Sequence, residues 1–293
     1  MSALTDALAW VVIVAFAASA IFQRRDADRS RTAATGAWVL FAVFWALLVP
    51  HFAFTQRSII EGLLSAVAVP ASLYVAVLIW TGRRSFATIT EAVAIMGVIY
   101  LPFEMIALLR GGAIEMVTRN VEFLLASLGY DPTVVTGPNG LRSTFVFVGE
   151  DGHRFTTRVL LACTGIGSSA TVSGLVMALD APLRRRLAGV AIAVPIIYAL
   201  NVFRVAFIAL AHGYQWFAGW QDPIFLLFGT SDPNMVSYLV ADRVLAQSAS
   251  VFALVVITLA LLRVVPELST IVEDVLFLLT GDDYDVDSRL GAF

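Results

Sequence analysis

The sequence predicts an all-α polytopic membrane protein of about seven transmembrane helices, with a small external amphipathic helix and β-hairpin. Three observations carry that expectation. Of 293 residues, 59% are hydrophobic. Only 14% are charged, against about a quarter in a soluble domain. Several apolar runs reach the roughly 20 residues that a helix needs to cross a bilayer.

The apolar runs place spans at about 7–22, 35–53, 59–80, 87–109, 163–181, 187–212 and 235–263. The first run has no basic region before it and no small-residue cleavage site, so it is expected to be a retained span rather than a signal peptide. No internal repeat is visible. All 19 basic residues are Arg, and their placement in short loops predicts orientation. Arg24, Arg25, Arg29 and Arg31 follow the first span, Arg83 and Arg84 the third, and Arg184, Arg185 and Arg186 the fifth. These loops are assigned to the cytoplasm. The N-terminus, 110–162 and 213–234 then lie outside, and the acid-rich end lies inside, with Glu267, Glu273, Asp274, Asp282, Asp283, Asp285 and Asp287. The expected organisation is a four-span half over 1–109, an external segment over 110–162, a three-span half over 163–263 and an acidic cytoplasmic tail over 264–293.

In the external segment, Ile114, Val117, Val121, Leu124, Leu125 and Leu128 fall on one helical stripe, with Glu115, Arg119 and Glu122 opposite. That pattern predicts an amphipathic helix lying on the membrane surface, or else a helix buried in the bundle. "TVVT", "STFVFV" and "RFTTRVLL" follow, separated by the turns "GPNG" and "EDGH". β-branched and aromatic runs bounded by Asn-Gly and Asp-Gly predict a hairpin or meander. Its last strand leads into Cys163. The fifth span, "CTGIGSSATVSGLVMALDA", is crowded with Gly, Ser, Thr and Ala. Small residues let helices approach closely, which puts this span in the middle of the bundle with Cys163 at its outer end.

Cys163 is the only cysteine, which excludes an intrachain disulfide, a CxxC pair and a Cys-rich zinc site. No metal or cofactor is expected, and no nucleic-acid partner. Two arginines interrupt apolar spans. Arg204 lies about eight residues before the outer end of span six, and Arg243 about eight residues after the outer start of span seven, so each sits roughly 12 Å below the boundary. A basic residue at mid-membrane costs about 2.5–3.5 kcal/mol on insertion scales. Snorkelling or a structural ion pair accounts for either alone; two at matching depth on the cysteine's side point to a site. Asn201 lies three residues before Arg204, on the same helix face. Tyr238 and Asp242 neighbour Arg243, and Glu104 in span four is available to either guanidinium. His51, His153 and His212 fall outside or near the outer boundary, each a candidate base or an ordinary wet surface residue.

A cysteine at a helix start near guanidinium groups favours the thiolate. A thiolate attacks carbonyl carbon to form a thioester, and Arg supplies N–H donors to the developing oxyanion. Water then resolves the thioester in a protease, and an amine or hydroxyl in a transferase.

"ACTGIGS" around Cys163, "NVFR" ending at Arg204 and "YLVADR" ending at Arg243 together resemble the archaeosortase/exosortase family, multi-pass membrane cysteine enzymes analogous to sortases but unrelated in fold. The intervals of 41 and 39 residues between the three positions fit the archaeal branch, and bacterial members usually carry His at the third. The resemblance implies Cys163, Arg204 and Arg243 as the catalytic residues. It also implies a substrate, a surface protein of the surface-layer glycoprotein type ending in a Pro-Gly-Phe signal, a transmembrane helix and a short basic tail. Such a protein would be cleaved near the signal and its new C-terminus coupled to a membrane lipid. A rival reading is a transporter or channel for an anion, which intramembrane Arg pairs and helices broken at Pro70, Pro102 and Pro195 also fit. The missing inverted repeat and the boundary cysteine count against it.

Overall fold

A computed structural model describes residues 3–23, 26–55, 59–82, 86–150, 152–282 and 284–285. Arg24, Arg25, Arg83, Arg84, Asp283 and Asp287, used above for orientation and tail charge, lie outside the described residues. The chain forms α1 (Ala3–Gln23), α2 (Ala27–Pro50), α3 (Ile59–Trp80), α4 (Phe86–Met105) and α5 (Ala107–Ser127). Next come β1 (Thr133–Thr136), β2 (Arg142–Val148) and β3 (Arg154–Arg158), then α6 (Ile166–Ala178) and α7 (Leu183–Gly213). The series ends with α8 (Gln221–Phe228), the single turn α9 (Val236–Tyr238), α10 (Gln247–Val264) and α11 (Ser269–Thr280).

Among the described residues, five stretches are long and apolar enough to cross a bilayer: Asp28–Thr55, Ile60–Trp80, Phe86–Met105, Leu183–Gly213 and Pro233–Val264. This is a multi-pass membrane protein. The first and fifth expected spans correspond to shorter apolar helices, Ala7–Phe22 and Ile166–Ala178. Helix α6 has 13 residues, about 20 Å of rise against a hydrocarbon core of about 30 Å. The expected span 163–181 is shortened at its start because Leu161–Cys163 form a 3₁₀ turn and Gly165 takes φ +77°. Cys163 therefore stands ahead of the helix, outside the spanning segments.

Two compact units are distinguished. The first comprises 1–99, 170–193 and 257–293. Its core gathers Phe16, Trp38, Phe86, Val75 and Ala94. Phe16 meets Trp38 edge-on at 5.2 Å, and the Trp38 indole N–H donates to Thr90 Oγ1 at 3.0 Å, the partner a buried Trp needs. The small residues of α6 act as expected in this unit: a Cβ on Gly174 would stand 2.5 Å from the Ala92 carbonyl of α4. The acidic end departs from a plain tail. It contains α11, which buries Ile271 and Asp274 and stacks Phe277 on Tyr74 with ring centroids 6.5 Å apart. Glu267 pairs with Arg185 at 2.9 Å.

The second unit comprises 100–169 and 194–256. The three strands form an antiparallel meander in the order β1-β2-β3, with Phe145 opposite Thr157 and Phe147 opposite Phe155. Gly140 and Gly152 take φ +76° and +79° in the two turns, the left-handed conformation that the Asn-Gly and Asp-Gly signals anticipate. The stripe of α5 is occupied by protein and does not lie on lipid. Ile114, Val117, Val121 and Leu125 join Phe145, Phe155 and, from α7, Val205 and Ala209 in one core. Leu128 alone of the stripe is exposed. Sheet and helix are also clamped by Arg142, whose two Nη atoms reach the Glu122 carboxylate at 2.6 and 2.7 Å. This bidentate pair holds the Glu122 carboxyl below its usual range.

Candidate active site

The site residues expected from sequence are built by three pieces of the second unit. The first is the turn that ends β3. After Arg158 the Val159 N–H donates to the Ser143 carbonyl at 2.8 Å, which extends the sheet's hold to the threshold of the 3₁₀ turn. Cys163 closes that turn with its N–H on the Leu160 carbonyl at 2.9 Å. Its side chain is partly buried against the core of α5, the sheet and α7.

The second piece is α7, which carries Asn201 and Arg204 one turn apart. Asn201 packs on the cysteine segment. A Cβ on Gly165 would stand 2.6 Å from the Asn201 amide nitrogen, and Asn201 in turn donates to the Ile197 carbonyl at 2.9 Å. Glycine at 165 is thus required twice, by φ +77° and by the absence of room. No periodicity in the sequence distinguishes this glycine; the only signal is its place two residues after the cysteine.

The third piece is the start of the last long apolar stretch. It is not a plain α-helix: α9 passes into a π-helical segment, Leu239–Ala246, before α10 begins. π-Segments inside helices are rare and gather at functional sites. This one carries both Asp242 and Arg243. Asp242 Oδ1 takes the Arg204 Nη2 donor at 3.0 Å, and Oδ2 lies 3.4 Å from Arg243 Nε. Exposure of the three side chains is 24% for Arg204, 17% for Arg243 and 11% for Asp242. One carboxylate therefore holds two largely desolvated guanidiniums. The Nε of Arg204 is buried and has no hydrogen-bond partner among the described residues.

Both guanidiniums and Asp242 lie within electrostatic range of the Cys163 sulfur. The expected favoured thiolate is corrected by the burial. Loss of solvent pushes the thiol above its ordinary value, while the Leu160 backbone, Arg204 and Arg243 pull it down and Asp242 opposes them. Standing ahead of the helix and partly buried, the sulfur has less of the solvation that a thiolate at an open helix start enjoys.

The other expected residues divide. Tyr238 joins the cluster: its hydroxyl is hydrogen-bonded to Asp242, and it lies within electrostatic range of Cys163. His212 is not a wet boundary residue. It is 5% exposed, edge-on to both Phe155 and Tyr238 at 5.5 Å, with Gln215 Nε2 3.5 Å from Nδ1. His153 packs at 4.7 Å on Phe155, and His51 lies in a π-turn after α2. Glu104 pairs with neither Arg204 nor Arg243. Its carboxylate accepts from the Tyr100 hydroxyl at 3.4 Å and its carbonyl from Arg110, beside the break between α4 and α5 at Ile106.

The Cys163, Arg204 and Arg243 constellation is thus a single cluster with Asp242 at its centre. The profile of the transmembrane exosortase family matches residues 4–229. The chain belongs to that family. The match includes Cys163 and Arg204 and ends ahead of Arg243. Two relatives extend the likeness past it. Archaeosortase A of Haloferax volcanii is 48% identical over 298 residues, covering 98% of this chain and 98% of that protein. Archaeosortase A of Natronomonas pharaonis is 47% identical over 282 residues, covering 93% of this chain and 88% of that protein. No solved structure matches.

Proposed function

We propose that this exosortase-family chain is a membrane cysteine transpeptidase. It cleaves the C-terminal Pro-Gly-Phe sorting signal of surface proteins through a thioester on Cys163, then couples the new C-terminus to a membrane lipid at the outer face. The observation that carries the reading is the partly buried Arg204 guanidinium, tied to Asp242 on one side with its buried Nε–H unpartnered among the described residues, within electrostatic range of the sole thiol. A desolvated donor left open in a resting site is suited to a charge that appears only during reaction.

In this mechanism the Cys163 sulfur attacks the substrate carbonyl carbon. The oxygen takes up negative charge opposite Arg204, the C–N bond breaks, and the amine leaves with the proton that the Cys163 thiol gave up. Arg243 positions the substrate. A lipid nucleophile then attacks the thioester carbonyl and releases the thiol. No cofactor takes part. Asp242 aligns both guanidiniums, Tyr238 buttresses Asp242, and Asn201 sets the cysteine segment against α7. The 47–48% identity with two archaeosortase A relatives across most of the chain supports the substrate class.

The test is incubation with a membrane substrate bearing the signal, read by mobility shift and by mass spectrometry of Cys163. The native chain is expected to form a thioester adduct. Cys163→Ala and Cys163→Ser should insert normally and process nothing, since a serine hydroxyl is far less nucleophilic than a thiol at neutral pH. Full processing by Cys163→Ala removes the cysteine mechanism. For orientation, an impermeant thiol reagent on intact cells should label Asn139→Cys and spare Arg184→Cys in a Cys163→Ala background; the reverse pattern inverts the topology.

A further inference from the structure

The connection between the last two long apolar stretches, 213–234 in the sequence, is built more tightly than an open loop. One stretch ends at Gly213 and the next begins at Pro233. Just past the first end, Gln215 takes φ +52° and its amide donates to the His212 and Asn234 carbonyls at 2.6 and 3.2 Å. The two ends of the connection are thereby tied together. Between them a 3₁₀ turn, Ala218–Trp220, leads into α8.

Helix α8 has two apolar faces, and protein covers only one. Ile224 and Phe228, four residues apart, pack with Val236, Leu239 and Val240. Leu226, on the far side of the helix from Ile224 and Phe228, is 89% exposed, and Leu227, Trp216 and Trp220 are exposed elsewhere in the connection, while Tyr214 packs on Tyr130 and Phe147 at 5.5 Å. From 205 to 242 the sequence has no basic residue except His212, and the acids in the connection are Asp222 and Asp232.

We propose that α8, with Trp216 and Trp220, is an interfacial anchor whose outward face sits in the boundary between lipid headgroups and acyl chains. Both ends of the connection emerge directly from membrane-spanning stretches, at Gly213 and Pro233, and are tied together through Gln215, so the short connection stays beside a bilayer surface. Trp and Tyr favour that boundary, where the ring is apolar and its polar edge meets water. The aliphatic pair adds the apolar area that drives interfacial helices into it. With no Arg to attract anionic headgroups, the seating is apolar and independent of lipid charge. The buried face of α8 rests on Val236 and Leu239, which flank Tyr238 and begin the segment that carries Asp242 and Arg243. Lipid contact at Leu226 thus braces that segment. The anchor stands whether or not the chain is a transpeptidase.

The test uses Leu226→Cys in a Cys163→Ala background, labelled with an environment-sensitive fluorophore, in nanodiscs that hold one copy. An Asn139→Cys label at the sheet turn is the aqueous reference. The Leu226 label should emit blue-shifted light, be quenched by lipids with a shallow nitroxide and resist aqueous iodide, equally in neutral and anionic discs. Iodide quenching equal to that at Asn139 would place the face in water and overturn the proposal. Shielding from both quenchers would mean that protein covers it, and shielding only in discs with two copies would mean that a second copy does; either overturns it. A requirement for anionic lipid would overturn the apolar seating. Because Leu226 makes no buried contact, the cysteine variant keeps the fold.

Discussion

Arg204 places a guanidinium nitrogen 3.0 Å from Oδ1 of Asp242, 38 residues further along the chain. The other oxygen of the same carboxylate faces Arg243 at 3.4 Å. Removing one partner from a buried ion pair costs about 3–5 kcal/mol, because the charge left behind has no compensation. Asp242→Ala strands two cations and should lower stability by about 3 kcal/mol, the bottom of that range, since all three side chains keep some exposure. Asp242→Asn retains an acceptor and should lose less. Unfolding in micelles, followed by intrinsic fluorescence, reads the difference; a loss below about 1 kcal/mol for Asp242→Ala would show that the carboxylate does not hold the site together.

Lysine at 204 should not replace arginine. A guanidinium offers five donors in a planar fork, and an ammonium is a hydrated point charge. Arg204→Lys keeps the charge, but its single nitrogen cannot face Asp242 and also present the open Nε–H. The expected loss is about 10²–10³ in single-turnover rate, the cost of one oxyanion donor. Arg243→Lys should lose less. Cys163 alkylation against pH separates the roles: burial already raises this thiol and Arg204 opposes that rise, so Arg204→Met should move the profile to higher pH and Arg204→Lys should move it little. Near-normal turnover in both Lys variants would mean that charge alone suffices.

Gly165→Ala should damage the site without touching a reacting group. A left-handed backbone costs an L-residue about 1–2 kcal/mol, and the new methyl would meet the Asn201 amide at 2.6 Å. Loss of thioester formation with normal membrane insertion is expected. Adding Asn201→Ala removes the collision but not the strained φ, so the double variant should recover part of the activity. If Gly165→Ala alone reacts at the native rate, the close approach has no bearing on the cysteine.

Acid should loosen the sheet from α5. The Glu122 carboxyl is held below its ordinary value of 4.5 by Arg142. A group with a lowered folded value contributes stability above its unfolded value and loses that contribution as pH falls through the folded one. Hydrogen exchange in β2 should therefore accelerate as pH drops below the ordinary glutamate value, after correction for intrinsic rates. The pair is partly exposed, so the effect is modest. Glu122→Gln should flatten the dependence; an unchanged pH profile in that variant would assign the loosening to another group.

How much was legible in sequence follows from the range of the forces involved. Apolar runs, Asn-Gly and Asp-Gly turns and the stripe on α5 are local patterns, and each predicts its element because bilayer length, turn geometry and helical period act over neighbouring residues. The motifs around Cys163, Arg204 and Arg243 were visible as short contiguous strings that resemble a known family. The partner of each charge was not. Glu104, Asp242 and Tyr238 were equally available by position, and the break at Ile106 and the π-segment at Leu239–Ala246 decided among them. Backbone hydrogen-bond shifts of this kind leave no periodic trace.

The amino-acid sequence by itself determined a multi-pass membrane chain, a hairpin or meander leading to one thiol, and three candidate positions about 40 residues apart. Tertiary structure alone decided that Asp242 clamps both arginines, that Asn201 closes on Gly165, that His212 is buried beside Tyr238, and that the stripe of α5 faces protein. The physical reason is desolvation. Whether an apolar stripe meets lipid or a sheet, and whether a charge is paired or solvated, depends on what packing brings alongside it from distant parts of the chain.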